Sequence, residues 1–317
     1  MKTAAIKWSL AGVALFAIGP ACAWLTARVG PDGIQPGTPL VSASPLLGGL
    51  GLLGALGLAA GIGILASRIA TARWGYFCAG LALCWAAAHT ATLAGPAGLI
   101  RPAAVAGQAG SVYMRLLVEG LVCLTTLAPI AVYIWMRGAH PQGEAGASER
   151  GDPSNTNAMV LGVGIGLVGA LAGMWLVANS GMKGQAVAAA TVGGLVAGFA
   201  GHLLAHRAPG FALALGALLM CALAPAAGLF LGPRSVGGAL VAGGDTLLPV
   251  LRLTPLDIAA GVMLGVPIGH GWAGSMVDKH PHHTQSEPTS QPTAAAVASV
   301  EPRPAELKVG GATPGGA

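Results

Sequence analysis

Hydrophobic and polar positions fall in long blocks along this chain. Apolar runs occupy residues 8–27, 46–66, 74–93, 116–136, 158–179, 187–205, 211–231 and 256–277. Each is close to the length, about 20 residues at about 1.5 Å rise, that an α-helix needs to cross the hydrocarbon layer of a bilayer. The eighth run is the least regular, because Asp257, Pro267 and His270 interrupt it. A polar linker at 137–157 carries Glu144, Glu149, Arg150, Asp152 and Pro153 and separates four runs from four. From 278 to 317 the chain is rich in Pro, Ser, Thr, Ala and Gly and nearly devoid of large apolar residues. Such a segment cannot bury enough surface to offset its ordering entropy, so a disordered tail is expected there. The pattern predicts an all-α polytopic transmembrane helix bundle of about eight helices, arranged as two tandem four-helix repeats at 1–136 and 158–277.

Composition agrees with a lipid environment. Hydrophobic residues are 54% of the chain and charged residues 9%, against about 25% charged in a soluble domain. The mean hydropathy is +0.70. The 51 glycines suit membrane helices, where small residues let backbones approach; they equally suit a mutational bias toward GC-rich codons. The net charge of +5 comes from 16 Lys and Arg scattered singly at the ends of apolar runs. No basic cluster interleaved with aromatics occurs, so no nucleic-acid partner is expected. The five cysteines, Cys22, Cys78, Cys84, Cys123 and Cys221, lie inside apolar runs without a CxxC pair. Neither a disulfide framework nor a structural zinc site is indicated.

The basic residues also suggest an orientation. With the N-terminus inside, the cytoplasmic flanks hold Lys2, Lys7, Arg68, Arg73, Arg137, Arg150, Arg207 and Lys279. The outer side then holds Arg28, Arg101, Arg115, Lys183, Arg234 and Arg252. This favours N-in/C-in insertion, as in a bacterial inner membrane, with linker and tail cytoplasmic. Lys2, Lys7 and Ala21-Cys22-Ala23 also fit a cleaved signal peptide over residues 1–23. The internal repeat favours a retained helix.

That repeat shows as ordered matches between the halves. Trp24-Leu25 faces Trp175-Leu176, and Leu65-Ala66-Ser67-Arg68 faces Leu204-Ala205-His206-Arg207. A single gap-free offset then pairs Cys84 with Cys221, Gly95-Pro96 with Gly232-Pro233, and Gly107 with Gly244. It also pairs Arg115 with Arg252 and Trp135 with Trp272. Trp, Cys, Arg and Gly-Pro are scarce here, so these matches count for more than those of Gly, Ala or Leu. Four crossings per half would give both copies the same orientation, related by an axis along the membrane normal. Segments 95–112 and 233–249 occupy matching places and carry Gln108 and Asp245. They read as plain outer loops or as re-entrant segments lining a cavity.

Ionisable side chains within apolar runs are costly and are weighed first as site residues. Glu119 follows Arg115 by four residues, on the same helical face, and Asp257 follows Arg252 by five. These read either as interfacial ion pairs anchoring helix ends or as a charged-solute site formed by Arg115, Glu119, Gln108, Asp245, Arg252 and Asp257. His89, His202 and His270 are the cofactor candidates, since axial haem ligation needs histidines at matching depths on separate helices. His202 and His206 are spaced i, i+4, yet no histidine is repeated between the halves, and no cofactor or metal is assigned.

No phosphate-binding G-x-x-x-x-G-K-[ST], no H-E-x-x-H and no G-x-S-x-G occurs, so no catalytic motif argues for an enzyme. Gly243-Gly244-Asp245 resembles the glycine–aspartate site of intramembrane aspartyl proteases. A second aspartate at comparable depth is required, and Asp257 is too near in sequence to supply it. Two readings remain: a small-solute permease or channel-like transporter, and a membrane subunit of a redox or biosynthetic complex. The first implies the lipid bilayer and a small solute as partners, the second a further membrane protein.

Overall fold

A computed structural model describes residues 2–28, 37–90, 99–100, 103–104, 106–138, 155–178, 182–205, 207–231 and 248–277. Among these residues the chain is helical and contains no strand. Helix α1 (Lys2–Val13) passes through a π-helical segment, Ala14–Ile18, into α2 (Gly19–Thr26). Pro20 accounts for the widened turn. It has no N–H for the carbonyl of Phe16, and its ring would crowd that carbonyl in a regular α-turn. The i→i+5 pattern, with the Gly19 N–H on the Ala14 carbonyl, relieves both.

The next helices start where local chemistry supplies a cap. Helix α3 (Pro45–Ile69) has Pro45 at its first position, where a missing N–H costs nothing. Helix α4 (Ala72–His89) is capped by Thr71, whose hydroxyl accepts the Trp74 N–H at 3.4 Å. Helix α5 (Ala109–Arg137) follows Gly107, which turns with φ +71°. In α6 (Thr156–Val177) the Asn155 side chain accepts the Ala158 N–H at 3.1 Å. Helix α7 (Lys183–Leu204) leads to α8 (Gly210–Leu218) and α9 (Met220–Leu231), one rod interrupted at Leu219. A 3-10 turn, Pro249–Arg252, precedes α10 (Pro255–Val277).

Six helices are long and apolar enough to cross a membrane: Ala4–Thr26, Pro45–Ile69, Ala109–Arg137, Thr156–Val177, Gly184–Leu204 and Gly210–Leu231. Their outward faces carry Phe16, Trp24, Leu46, Leu176 and Phe230 at 72–80% exposure, a belt that water would not tolerate and lipid solvates. Helices α4 and α10 form at the third and eighth apolar runs but fall outside that set of six. The interior explains the difference. Leu256, Ile258, Ala259, Ala260, Val262 and Met263 of α10 are 0% exposed, and α10 packs along α7, α4, α5, α8 and α9. A helix enclosed by other helices can tolerate Asp257 and His270, which a lipid-facing one cannot.

Glycines set the spacing. On α10, Gly261, Gly265 and Gly269 lie against the α7 backbone at Ala190, Thr191 and Leu195. On α7, Gly194 and Gly198 lie against α10 at Val262 and Val266, while Gly193 and Gly201 face α6 and α8. The small-residue pattern at 193–201 is thus a packing surface on two sides of one helix. Leu99, Ile100 and Ala104, from the segment 95–112, are buried with Val41 against Tyr113 of α5. The segment 233–247 with Asp245, most of the linker, His206 and the tail from 278 lie outside the described residues.

Candidate functional site

Polar and charged side chains collect at the two ends of α10. At its start, Thr254 and Asp257 close a capping box. The Thr254 N–H and hydroxyl donate to Asp257 Oδ2 at 2.8 and 2.7 Å, and the Asp257 N–H donates to Thr254 Oγ1 at 3.2 Å. Asp257 is fully buried, as is Glu119 on α5, and Arg252 in the preceding turn is 5% exposed. Glu119 Oε2 accepts the Leu40 N–H at 3.3 Å, from the buried stretch that precedes α3. The Glu119 turn of α5 and the start of α10 converge on Cys221 of α9. The backbone of Gly120 lies against the Cys221 carbonyl, and the Cys221 thiol donates to the Pro255 carbonyl at 3.5 Å.

The structure therefore keeps part of the sequence-derived set together and separates the rest. Glu119, Arg252 and Asp257 are inside the protein at one end, whereas Arg115 and Gln108 are exposed. Arg115 and Glu119 share a helical face by spacing, yet one points outward and the other is enclosed; among the described residues no ion pair joins them. The burial of Asp257 has a local reason in its cap, which the Thr254-x-x-Asp257 spacing could have revealed.

The far end of α10 holds a second cluster that sequence reasoning only half found. Arg73 Nη2 donates to His270 Nδ1 at 3.2 Å. A guanidinium cannot accept, so His270 is a neutral imidazole with its proton on Nε2. The His202 ring meets the His270 ring edge-on with centroids 4.5 Å apart, and Trp135 meets it from α5 at 5.6 Å. Tyr76 stands on Trp135 and donates to the Ala131 carbonyl at 2.8 Å. Arg73 and Trp135 were visible only as a basic flank and a repeat match, because nothing local ties them to a histidine 197 positions from Arg73.

His89 lies at the opposite end of α4 from Arg73, its Nδ1 at 2.8 Å from the Trp85 carbonyl and its ring stacked on Trp85. The three histidines therefore do not share one depth. Axial ligands approach a haem from opposite faces, and the direct ring contact of His202 with His270 leaves no place for a macrocycle between them. Among the described residues no group of three or more His, Cys, Asp or Glu is gathered to hold a metal ion.

An all-helical body with six apolar, membrane-length helices and ionisable groups confined to its interior and ends defines a multi-pass integral membrane protein. Comparison with known protein families, with curated proteins and with solved structures finds no match.

Proposed function

We infer that this protein is a small-solute permease, with the charged end of α10 as its solute site. The observation that carries this reading is the burial of Glu119 and Arg252, at 0% and 5% exposure, in a bundle whose surface is made for lipid. Enclosed ionisable groups in a membrane protein are expensive and are retained where they meet a charged ligand or each other. Asp257 would shape that site through the cap it forms with Thr254. Arg115 and Gln108 would belong to its rim.

Eight spans in two parallel four-helix halves make the best account of the packing. The third helix of each half contacts the fourth of the other: α4 lies on α10, and α8 and α9 lie on α5. Gly80 meets Met263 and Leu264 in one contact, and Gly120 meets Cys221 and Ala222 in the other. The repeat offset carries Arg73 to Gly210 and Trp135 to Trp272. Arg73 lies beside Gly271 and Gly274, flanking Trp272, and Gly210 lies against Trp135. Exchange of partners in this way is what a pseudo-two-fold axis along the membrane normal produces. Buried Cys22, bonded to the Ala55 carbonyl at 3.5 Å, supports retention of the first helix. The basic residues support N-in/C-in insertion in a bacterial inner membrane.

The test is charge movement by purified protein in liposomes on a solid-supported membrane, challenged with a panel of small organic and inorganic anions and cations. At least one solute class is expected to give transients above those of empty liposomes, and Glu119→Gln is expected to abolish them. Silence across the panel, or wild-type transients from Glu119→Gln, would reject the reading. A redox-subunit role is not supported by a specific feature of the histidine geometry.

A further inference from the structure

A groove of about 290 Å³ opens at the far end of α10, between α1, α4 and α10, and it is separate from the charged site. Trp8, Trp74, Phe77, Pro267 and Ile268 form its apolar walls, and Arg73 is the charged residue that lines it. Three of the rings brace one another edge to face, Trp8 on Trp74 at 5.4 Å and Trp74 on Phe77 at 5.3 Å. The wall is therefore stiff as well as apolar. Gly271 and Gly274 leave room for the Arg73 guanidinium along α10, and neutral His270 holds it in place at 3.2 Å.

Among the described residues the charged side chains around it are of one sign. Lys7 on α1 stands at this same end, as do Arg68, Arg137 and Arg207 at or beside the termini of α3, α5 and α8. Glu119 and Asp257, the carboxylates among the described residues, lie toward the other end. Asp257 is 13 positions before His270 on α10, roughly 20 Å away along the axis. We propose that this groove seats an anionic phospholipid, with its phosphate on Arg73 and the first part of an acyl chain along Trp8, Trp74, Phe77 and Ile268. Basic pockets between helices at the membrane surface suit such headgroups, and aromatic rings at that depth suit the boundary between headgroup and chain. A zwitterionic lipid would fill the wall but would bring its own cation to Arg73. Free phosphate would reach Arg73 but gain nothing from the wall.

Native mass spectrometry on the full chain tests this, with phosphatidylglycerol and phosphatidylcholine of matched chains added in equal amounts. The wild type is expected to retain phosphatidylglycerol preferentially. Arg73→Gln should weaken that retention about tenfold, the loss of one charge-assisted contact. Arg137→Gln, equally basic but outside the groove, should leave it unchanged. Ile268→Trp keeps the Arg73–His270 contact and fills the groove, and it should also abolish the preference. Equal retention of both lipids by the wild type would overturn the proposal, as would undiminished preference in Arg73→Gln or Ile268→Trp. Displacement of the bound lipid by inorganic phosphate alone would assign the site to the free anion and overturn it too.

Discussion

Adding one methyl group at Gly80 tests whether the bundle is held by close backbone approach between α4 and α10. A Cβ there would lie 2.7 Å from the Leu264 backbone nitrogen and 2.9 Å from the Met263 carbonyl carbon, where real Cβ atoms essentially never come within 3.0 Å. Those atoms belong to the backbone of the enclosed helix, so no side chain can swing aside and the helices must part by a few tenths of an ångström. Overpacking of this kind costs about 1–3 kcal/mol. Against it stands the helix propensity that alanine gains over glycine, about 1 kcal/mol. The net expectation for Gly80→Ala is a loss of up to about 2 kcal/mol. Gly61 on α3 is the internal control, because nothing lies within 4 Å of its Cβ position. Gly61→Ala should gain up to about 1 kcal/mol through propensity alone. The propensity gain is common to both, so they differ by the overpacking cost of about 1–3 kcal/mol, and at roughly 2–4 °C per kcal/mol Gly80→Ala should melt about 2–12 °C below Gly61→Ala. A thiol-reactive fluorophore reads the transition in detergent, since Cys22, Cys78, Cys123 and Cys221 are buried until the bundle opens. If Gly80→Ala melts with or above Gly61→Ala, close contact between α4 and α10 does not hold the bundle together.

Two further outcomes are expected. Thr254→Ala removes the acceptor of the Asp257 N–H and the hydroxyl donated to Asp257 Oδ2, and should cost about 1–2 kcal/mol in the same melting assay, with Thr254→Ser restoring most of it. An unchanged Thr254→Ala melt would show that this cap does not anchor α10. For orientation, fusions at the C-terminus should give a fluorescent reporter that folds in the cytoplasm and an inactive phosphatase that needs an oxidising compartment; the reverse pair would reject C-in insertion.

The helices were legible because their signal is repeated over some twenty residues each, and every apolar run formed a helix where the described residues cover it. The class of each helix was harder to read. Helix α10 looked like the weakest span in sequence, since Asp257, Pro267 and His270 interrupt its run, whereas the run of α4 did not stand out. The structure shows the cause to be enclosure: α10 needs no lipid-facing surface, so its sequence is freed from the rule that governs Pro45–Ile69 or Gly210–Leu231. The candidate residues separate for a similar reason. Spacing placed Arg115 and Glu119 on one face of α5, but spacing cannot say how far round that face the neighbouring helix reaches. Helix α9 covers the turn at Gly120 and leaves Arg115 outside. The cluster of Arg73, Trp135, His202 and His270 comes from four helices and had no local signature at all. The glycine at 210 that admits Trp135 looked like one small residue among many.

The placement of the close contacts bears on how such a protein could move. Between α7 and α10, Gly194 and Gly198 answer Gly261, Gly265 and Gly269, so backbone meets backbone over more than two turns. A sheared or tilted α10 would break several of these contacts together, and the pair should therefore behave as one rigid piece. The helices before the linker meet those after it at comparable closeness: Gly80 lies against α10, Gly120 against α9, and Gly210 and Gly228 against the rings of Trp135 and Tyr113. On the permease reading, any shift of the α7–α10 pair would have to carry α4 with it or break the Gly80 contact. Glu119 lies on α5 and Arg252 in the turn before α10, so such a shift would change their separation, and the charged end of α10 is where a solute would sense it.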